Sequence, residues 1–193
     1  MFGPRRGSES GQDFVFPDWS PYADLTEAAR AYFRDPEVAL EALTAVLGER
    51  PAVGFCLERM VSDDGLVWQE AVVCDGERIV LWHGEDVVDE QFPDGAMTSA
   101  VRTVPLGRVN EVGYRTLLVR DGDGHRLHGV DVYILLESLD EAGPMERDGE
   151  NVTVIRHDAI RLGKSTEIGG AGQMRRLAEF AQQVASLAGV PVR

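Results

Sequence analysis

The sequence predicts an α+β fold: a small antiparallel β-barrel or bent sheet, with helices before it and one capping helix after it. Three observations predict this. Helical patterning runs over 24–48, apolar residues alternate in short runs from 52 to 156, and an amphipathic stretch occupies 173–188. Short strands at regular spacing, separated by turn signals, are the mark of a barrel or a strongly bent sheet.

Each element follows from its residues. Residues 1–20 are rich in Gly, Ser, Pro and charge, and predict a flexible tail that can dock its aromatics Phe14, Phe16 and Trp19 near its end. A helix is predicted over 24–34 with Thr26 as N-cap. Asp35-Pro36 starts a second helix as cap and first residue, Val38, Leu43, Val46 and Leu47 give its apolar face, and Gly48 ends it. Strands follow at 53–57, 66–74 and 78–83, with turns at Ser62–Gly65 and Asp75-Gly76. The unbroken apolar run Ile79–Trp82 marks the third as central. An acidic loop is expected over 85–95. Strands at 98–105, 109–119 (bulged at Gly113) and 130–137 come next, with a turn at Asp121–Gly124. A polar insertion over 138–150 leads to a short strand at 151–156. In the last helix, Met174, Leu177, Ala181, Val184 and Ala188 fall on one face. Residues 21–193 are expected to form one domain.

Charge narrows the partners. The chain of 193 residues has net charge −14. Residues 51–96 carry 11 acids and 2 bases, whereas 97–136 carry 4 acids and 5 bases. An acidic body repels nucleic acid and anionic lipid, so neither is an expected partner. No run approaches the roughly 18 apolar residues of a membrane span, and no signal-peptide pattern follows Arg5-Arg6, so the cytoplasm is the expected compartment. Cys56 and Cys74 lie in apolar runs and are expected as buried free thiols. Of 19 basic residues only Lys164 is lysine, a bias typical of a GC-rich genome such as an actinobacterium.

The segment Val101-Arg-Thr-Val-Pro-Leu-Gly-Arg-Val-Asn-Glu-Val112, within strands closed by a long helix, resembles the bacterial pleckstrin-homology-like domain. With Asp75-Gly-Glu-Arg78-Ile-Val-Leu-Trp82, the layout also resembles an uncharacterised actinobacterial family carrying a domain of unknown function. The resemblance spans roughly residues 30–190 and implies a fold but no activity. Eukaryotic members bind phosphoinositides through basic residues in the first hairpin. The equivalent loop here, Ser62-Asp63-Asp64-Gly65, is acidic and speaks against that ligand.

No complete catalytic, cofactor or metal motif is present. Gly163-Lys164-Ser165-Thr166 mimics the end of a P-loop, but Asp158 stands where the first glycine belongs, and a strand-to-helix loop is the better reading. Gly169-Gly-Ala-Gly172 with Arg175 and Arg176 is a candidate anion site at a helix start, beside the plainer reading of a loop and a solvated basic face. Asp121-Gly-Asp-Gly-His125 opens like a calcium loop, yet Val132 occupies the position of the bidentate Glu. Arg102, Arg108 and Arg115 form a candidate mild basic patch, unless they pair across strands with Glu111 and neighbouring acids.

The expected function is therefore a non-enzymatic binding or scaffolding domain that takes a protein or peptide by strand addition or in a groove beside the last helix, with Arg102, Arg108, Arg115, Arg175 and Arg176 as candidate binding residues. The competing expectation is a small-molecule hydrolase using Asp123, His125 and His128, or the His157-Asp158 pair, if those groups converge. Homodimerisation through an exposed sheet edge is a third reading.

Overall fold

Helix α1 (Leu25–Tyr32) starts where the Asp24 carboxylate accepts the Glu27 N–H at 3.0 Å, so Asp24 and not Thr26 is its cap. Helix α2 (Pro36–Leu47) follows, with Pro in its first turn. Asp35 makes no side-chain cap bond there, because Arg34 engages its carboxylate at 2.6 Å. Ala39, Leu40, Leu43 and Leu47 are the buried face of α2, while Val38 is exposed. This computed structural model describes residues 18–93, 95–137 and 158–193, and the backbone of 142–147 and 150–155.

Four strands form the first sheet in the order β1-β2-β3-β4, all antiparallel: β1 (Gly54–Val61), β2 (Val67–Cys74), β3 (Arg78–Val87) and β4 (Ala96–Pro105). Strand β3 is interior, as its apolar run requires. It also extends through Val87, so the expected loop at 85–95 begins three residues late. A short 3-10 turn at Leu106–Arg108 leads into the second sheet. Its order is β5-β6-β9, from β5 (Val109–Asp121), β6 (Gly124–Leu136) and β9 (Ala159–Ser165). The bulges lie at Asn110 on β5 and His128 on β6, not at Gly113, where a Cβ would overlap the Tyr133 ring. Strand β7 (Ala142–Arg147) falls inside the expected insertion and pairs with β8 (Glu150–Ile155) as a separate hairpin. Among the described residues the two main sheets do not close into a barrel.

Alternation along the strands assigns the layers. One face of the first sheet carries Gln69, Ala71, Val80 and Trp82 and receives the N-terminal helices: the rings of Phe33 and Trp82 lie 5.3 Å apart, and the Arg34 N–H donates to Gln69 Oε1 at 2.7 Å. The opposite face meets the second sheet, whose inward residues include Val130, Val132, Ile134, Ile160 and Leu162. Helix α3 (Gly170–Ala188) packs across β5, β6, β9 and β1, with Met174, Leu177, Ala181 and Val184 buried as expected, and begins three residues earlier than its apolar pattern. Cys56 and Cys74 are buried free thiols. No helix among the described residues is long and apolar enough to cross a membrane.

Packing extends back to Asp18. Trp19 is fully buried, donates its indole N–H to Leu57 O at 3.0 Å and lies 5.7 Å from the Phe55 ring. Phe14 and Phe16 lie outside the described residues. A Trp19→Ala substitution is expected to cost about 3–5 kcal/mol, the usual penalty for emptying an indole-sized core site. Urea denaturation checks this; a loss under ~1 kcal/mol would mean Trp19 does not belong to the core.

Candidate functional site

The five candidate arginines do not converge. Arg102 on β4 forms a two-pronged ion pair with Asp158, which precedes β9, and this contact holds the Asp158 carboxyl below the usual range. Arg115 on β5 pairs across the ladder with Asp131 at 2.6 Å, a cross-strand pairing with a neighbouring acid. Glu111 accepts instead from the Tyr133 hydroxyl at 3.0 Å. Arg108 is exposed. Arg175 sits one helical turn from Glu179, with its guanidinium 3.8 Å from the carboxylate. Arg176 is turned inward: its guanidinium lies 5.4 Å from the Trp19 ring centroid and 5.0 Å from that of Phe55, and it donates to the carbonyls of Ser20 and Tyr22. It fastens the 18–22 segment to α3.

The hydrolase groups are likewise separate. Asp123 and His125 are exposed at the tip of the β5–β6 hairpin, while His128 Nδ1 lies 2.9 Å from Thr166 Oγ1. Asp158 is held by Arg102, and His157 lies outside the described residues. Among the described residues no three His, Cys, Asp or Glu side chains group as metal ligands. His83 lies on β3 in a cleft of about 490 Å³ between the sheets, edge-on to Trp68, with Nδ1 3.7 Å from Glu70 and Nε2 3.4 Å from Glu85.

The apparent P-loop is a strand. β9 runs through Ser165, so Lys164 is not in a linker to the helix. Its side chain is fully buried, and Nζ meets Glu58 Oε2 on β1 at 2.6 Å and the Tyr32 hydroxyl at 3.5 Å. Burial pushes the Glu58 carboxyl up, and the Lys164 charge opposes that shift. The ammonium is committed to this pair and is not presented to a phosphate.

Among the described residues the two main sheets end on β1, β4, β5 and β9, and the outer edge of β5 is the one that already holds added backbone from a remote segment. The C-terminal residues already use it. Val192 bridges Val112 in parallel, Arg193 N–H donates to Val112 O at 3.0 Å, and Tyr114 N–H donates to Arg193 O at 3.3 Å. Outward-facing backbone groups alternate, so those of Thr116, Leu118 and Arg120 continue the same edge beyond Arg193. Here the sheet also narrows. β6 last pairs with β9 at Gly129–Ser165, so the rest of the β5–β6 hairpin projects as a two-stranded arm. Its apolar side chains are uncovered: Leu117 is 55% exposed and Leu118 53%, with Tyr114, Val119 and Leu127 beside them. The sequence reading passed over these residues. The signal was Leu117-Leu118-Val119, apolar on both faces of a strand next to a hairpin tip.

The Lys164–Glu58 pair predicts a double-mutant cycle. Glu58→Gln or Lys164→Met alone leaves one buried charge uncompensated and is expected to cost about 3–5 kcal/mol near neutral pH, whereas the double variant loses much less. Lys164→Met removes the main opposition to burial and leaves only the Gly163 backbone bond lowering the Glu58 carboxyl, against burial and the Glu70 charge, so it stays further above the unfolded value. Stability from a raised carboxyl is full in acid and lost as pH rises through the folded value. The deficit of Lys164→Met against the native chain should therefore grow as pH rises. Denaturant titration from pH 4 upward reads both effects, and additive single losses would mean that the two charges do not interact.

No family model, no curated protein and no solved structure matches this chain.

Proposed function

We propose that the chain is a non-enzymatic binding or scaffolding module that takes its partner as an added β-strand along the β5 edge. One observation carries this reading: the Val192–Arg193 segment sits on that edge as a parallel bridge, bonded through backbone groups and with the Arg193 guanidinium 3.5 Å from the Glu111 carboxylate. An edge that takes one strand on its Val112–Tyr114 part offers equivalent groups on the adjoining part. The uncovered apolar residues flank the free groups and supply the side-chain contacts that main-chain pairing lacks. Arg176 and Lys164, which suggest chemistry in the sequence, are engaged inside the protein.

The finer fold assignment belongs to the same proposal. A four-stranded and a three-stranded antiparallel sheet, joined by a short turn and covered by a C-terminal helix, are in keeping with the pleckstrin-homology-like resemblance and with the actinobacterial family it suggests. Within that reading the β7–β8 hairpin is an insertion between the last two strands of the second sheet.

The test is a pull-down of the tagged chain from bacterial lysate, read by quantitative mass spectrometry, with Thr116→Pro alongside the native sequence. The Thr116 N–H faces outward, so proline there removes an edge donor without breaking the ladder to β6. The expected outcome is a partner enriched by the native chain and reduced about tenfold or more by the variant, the loss that ~1.4 kcal/mol produces. Equal capture by both would place the contact elsewhere, and no capture by a folded native bait would count against a binding module.

A further inference from the structure

We propose that the strand added to the free part of the β5 edge is the same segment of a second copy of this chain, paired antiparallel about a two-fold axis at Leu118. This rests on the strand-addition reading above and names its partner.

The geometry limits where two such edges can meet. Val112 and Tyr114 are taken by Arg193, and the strand ends at Asp121, so among the described residues the stretch of this edge without a strand beside it is 115–121. Leu118 is its midpoint. The outward backbone groups there belong to Thr116, Leu118 and Arg120. In an antiparallel pair centred on Leu118, Leu118 faces its own counterpart, and Thr116 faces Arg120 of the second copy in both directions. Every outward group then has a partner, giving about six hydrogen bonds for three bonded pairs. Centring on Thr116 would require Tyr114, which Arg193 occupies.

Side chains agree with that register. Arg115, paired with Asp131 in its own copy, also stands opposite Asp121 of the second copy, and the symmetry sets this opposition twice. Leu117 stands opposite Val119, so residues now exposed to water cover one another. Centring on Thr116 would instead oppose Glu111 to Asp121. The edge carries charge at Arg115, Arg120 and Asp121, which this register pairs or leaves apart, and lacks the other devices against self-pairing. Residues 115–121 contain no proline, glycine or lysine, and the bulge at this level is on β6.

Net charge favours the same place. Two copies of a chain at −14 repel each other. Residues 97–136, which contain β5 and β6, carry 5 bases and 4 acids and are free of the acidic excess of 51–96. Contact through the arm therefore brings the acidic bodies together last. The product joins two three-stranded sheets into one continuous sheet and gives the arm its missing third strand.

Light scattering on size-exclusion fractions of the full chain, over a series of loading concentrations, tests this. The native chain is expected to approach twice 21.2 kDa as concentration rises. Leu118→Lys and Leu118→Glu each place like charges on the axis and are expected at 21.2 kDa alone. Mixed in equal amounts they should restore the doubled mass, because Lys then faces Glu. Leu118 is exposed, and circular dichroism confirms that each variant is folded. A native chain at 21.2 kDa throughout, a variant still doubled, or a mixture that stays single would each overturn self-pairing at Leu118. Thr116→Pro in the same light-scattering series separates the two readings: a doubled native mass that falls to 21.2 kDa in the variant upholds strand addition with a second copy as partner, whereas a native chain that stays at 21.2 kDa overturns self-pairing and leaves strand addition to the capture experiment.

Discussion

The meeting of the two sheets depends on one buried ion pair. Lys164 on β9 reaches Glu58 on β1, with the Tyr32 ring 5.6 Å from the ammonium. A buried ammonium without a counter-charge is among the costliest defects a core can hold, so this contact discriminates strongly between alternative packings. It also fixes the register of β9. Ile160, Leu162 and Lys164 point inward, and a slip of one residue would turn Arg161 and Gly163 into the core and leave Glu58 alone. The close approach of neighbouring backbone supports the same register. Gly169, at φ +90°, lies against the Lys164 stem and the Gln173 amide, where a Cβ would crowd both.

From that contact the order spreads to both ends of the chain. Gln173, in the first turn of α3, donates to Asp18 at 3.2 Å, and Asp18 also accepts the Ser20 N–H at 2.9 Å. One helical turn on, Arg176 covers Trp19 and Phe55 and takes the carbonyls of Ser20 and Tyr22. Residues that suggest an anion site when α3 is considered alone are thus the clamp between the N-terminal segment and the capping helix. A guanidinium over two aromatic faces, with its donors directed to carbonyls, is satisfied without any ligand.

How much of this was legible in the sequence follows from which signals are local. Asp75-Gly76, Asp121–Gly124 and the Pro36 start mark positions through their own conformational preferences, and the elements they bound are close to those observed. Strand β9 was hidden because one of its inward positions is a lysine, whose charge breaks the apolar alternation. Only Glu58, more than a hundred positions earlier, makes that lysine an inward residue. Trp19 was legible as an aromatic that can dock, but its place in the core was not, because the 14–22 segment has no periodicity and its partners Leu57 and Arg176 are remote in sequence. The β5 edge was legible as a strand but not as an edge. Apolar residues in a strand normally imply burial, and strand order in a sheet is set by long-range pairing.

The arm shows what that long-range pairing leaves undone. Where β9 ends, β5 and β6 continue as two strands, and a two-stranded ribbon in water is marginal without a third strand or a covering layer. Yet beside the charged Arg115, Arg120, Asp121, Asp123 and Arg126 it leaves Tyr114, Leu117, Leu118, Val119 and Leu127 exposed. Elsewhere the fold covers such positions: Trp19 lies over β1 at Leu57, and Gln183 donates to Val53 O at its start. Val192 and Arg193 lie along the first part of the β5 edge in the same way, at Val112 and Tyr114. On the proposed reading, an added strand would supply the cover that these residues lack. Ordering the arm and occupying its edge are then a single event, which ties the stability of the hairpin to the presence of the strand beside it.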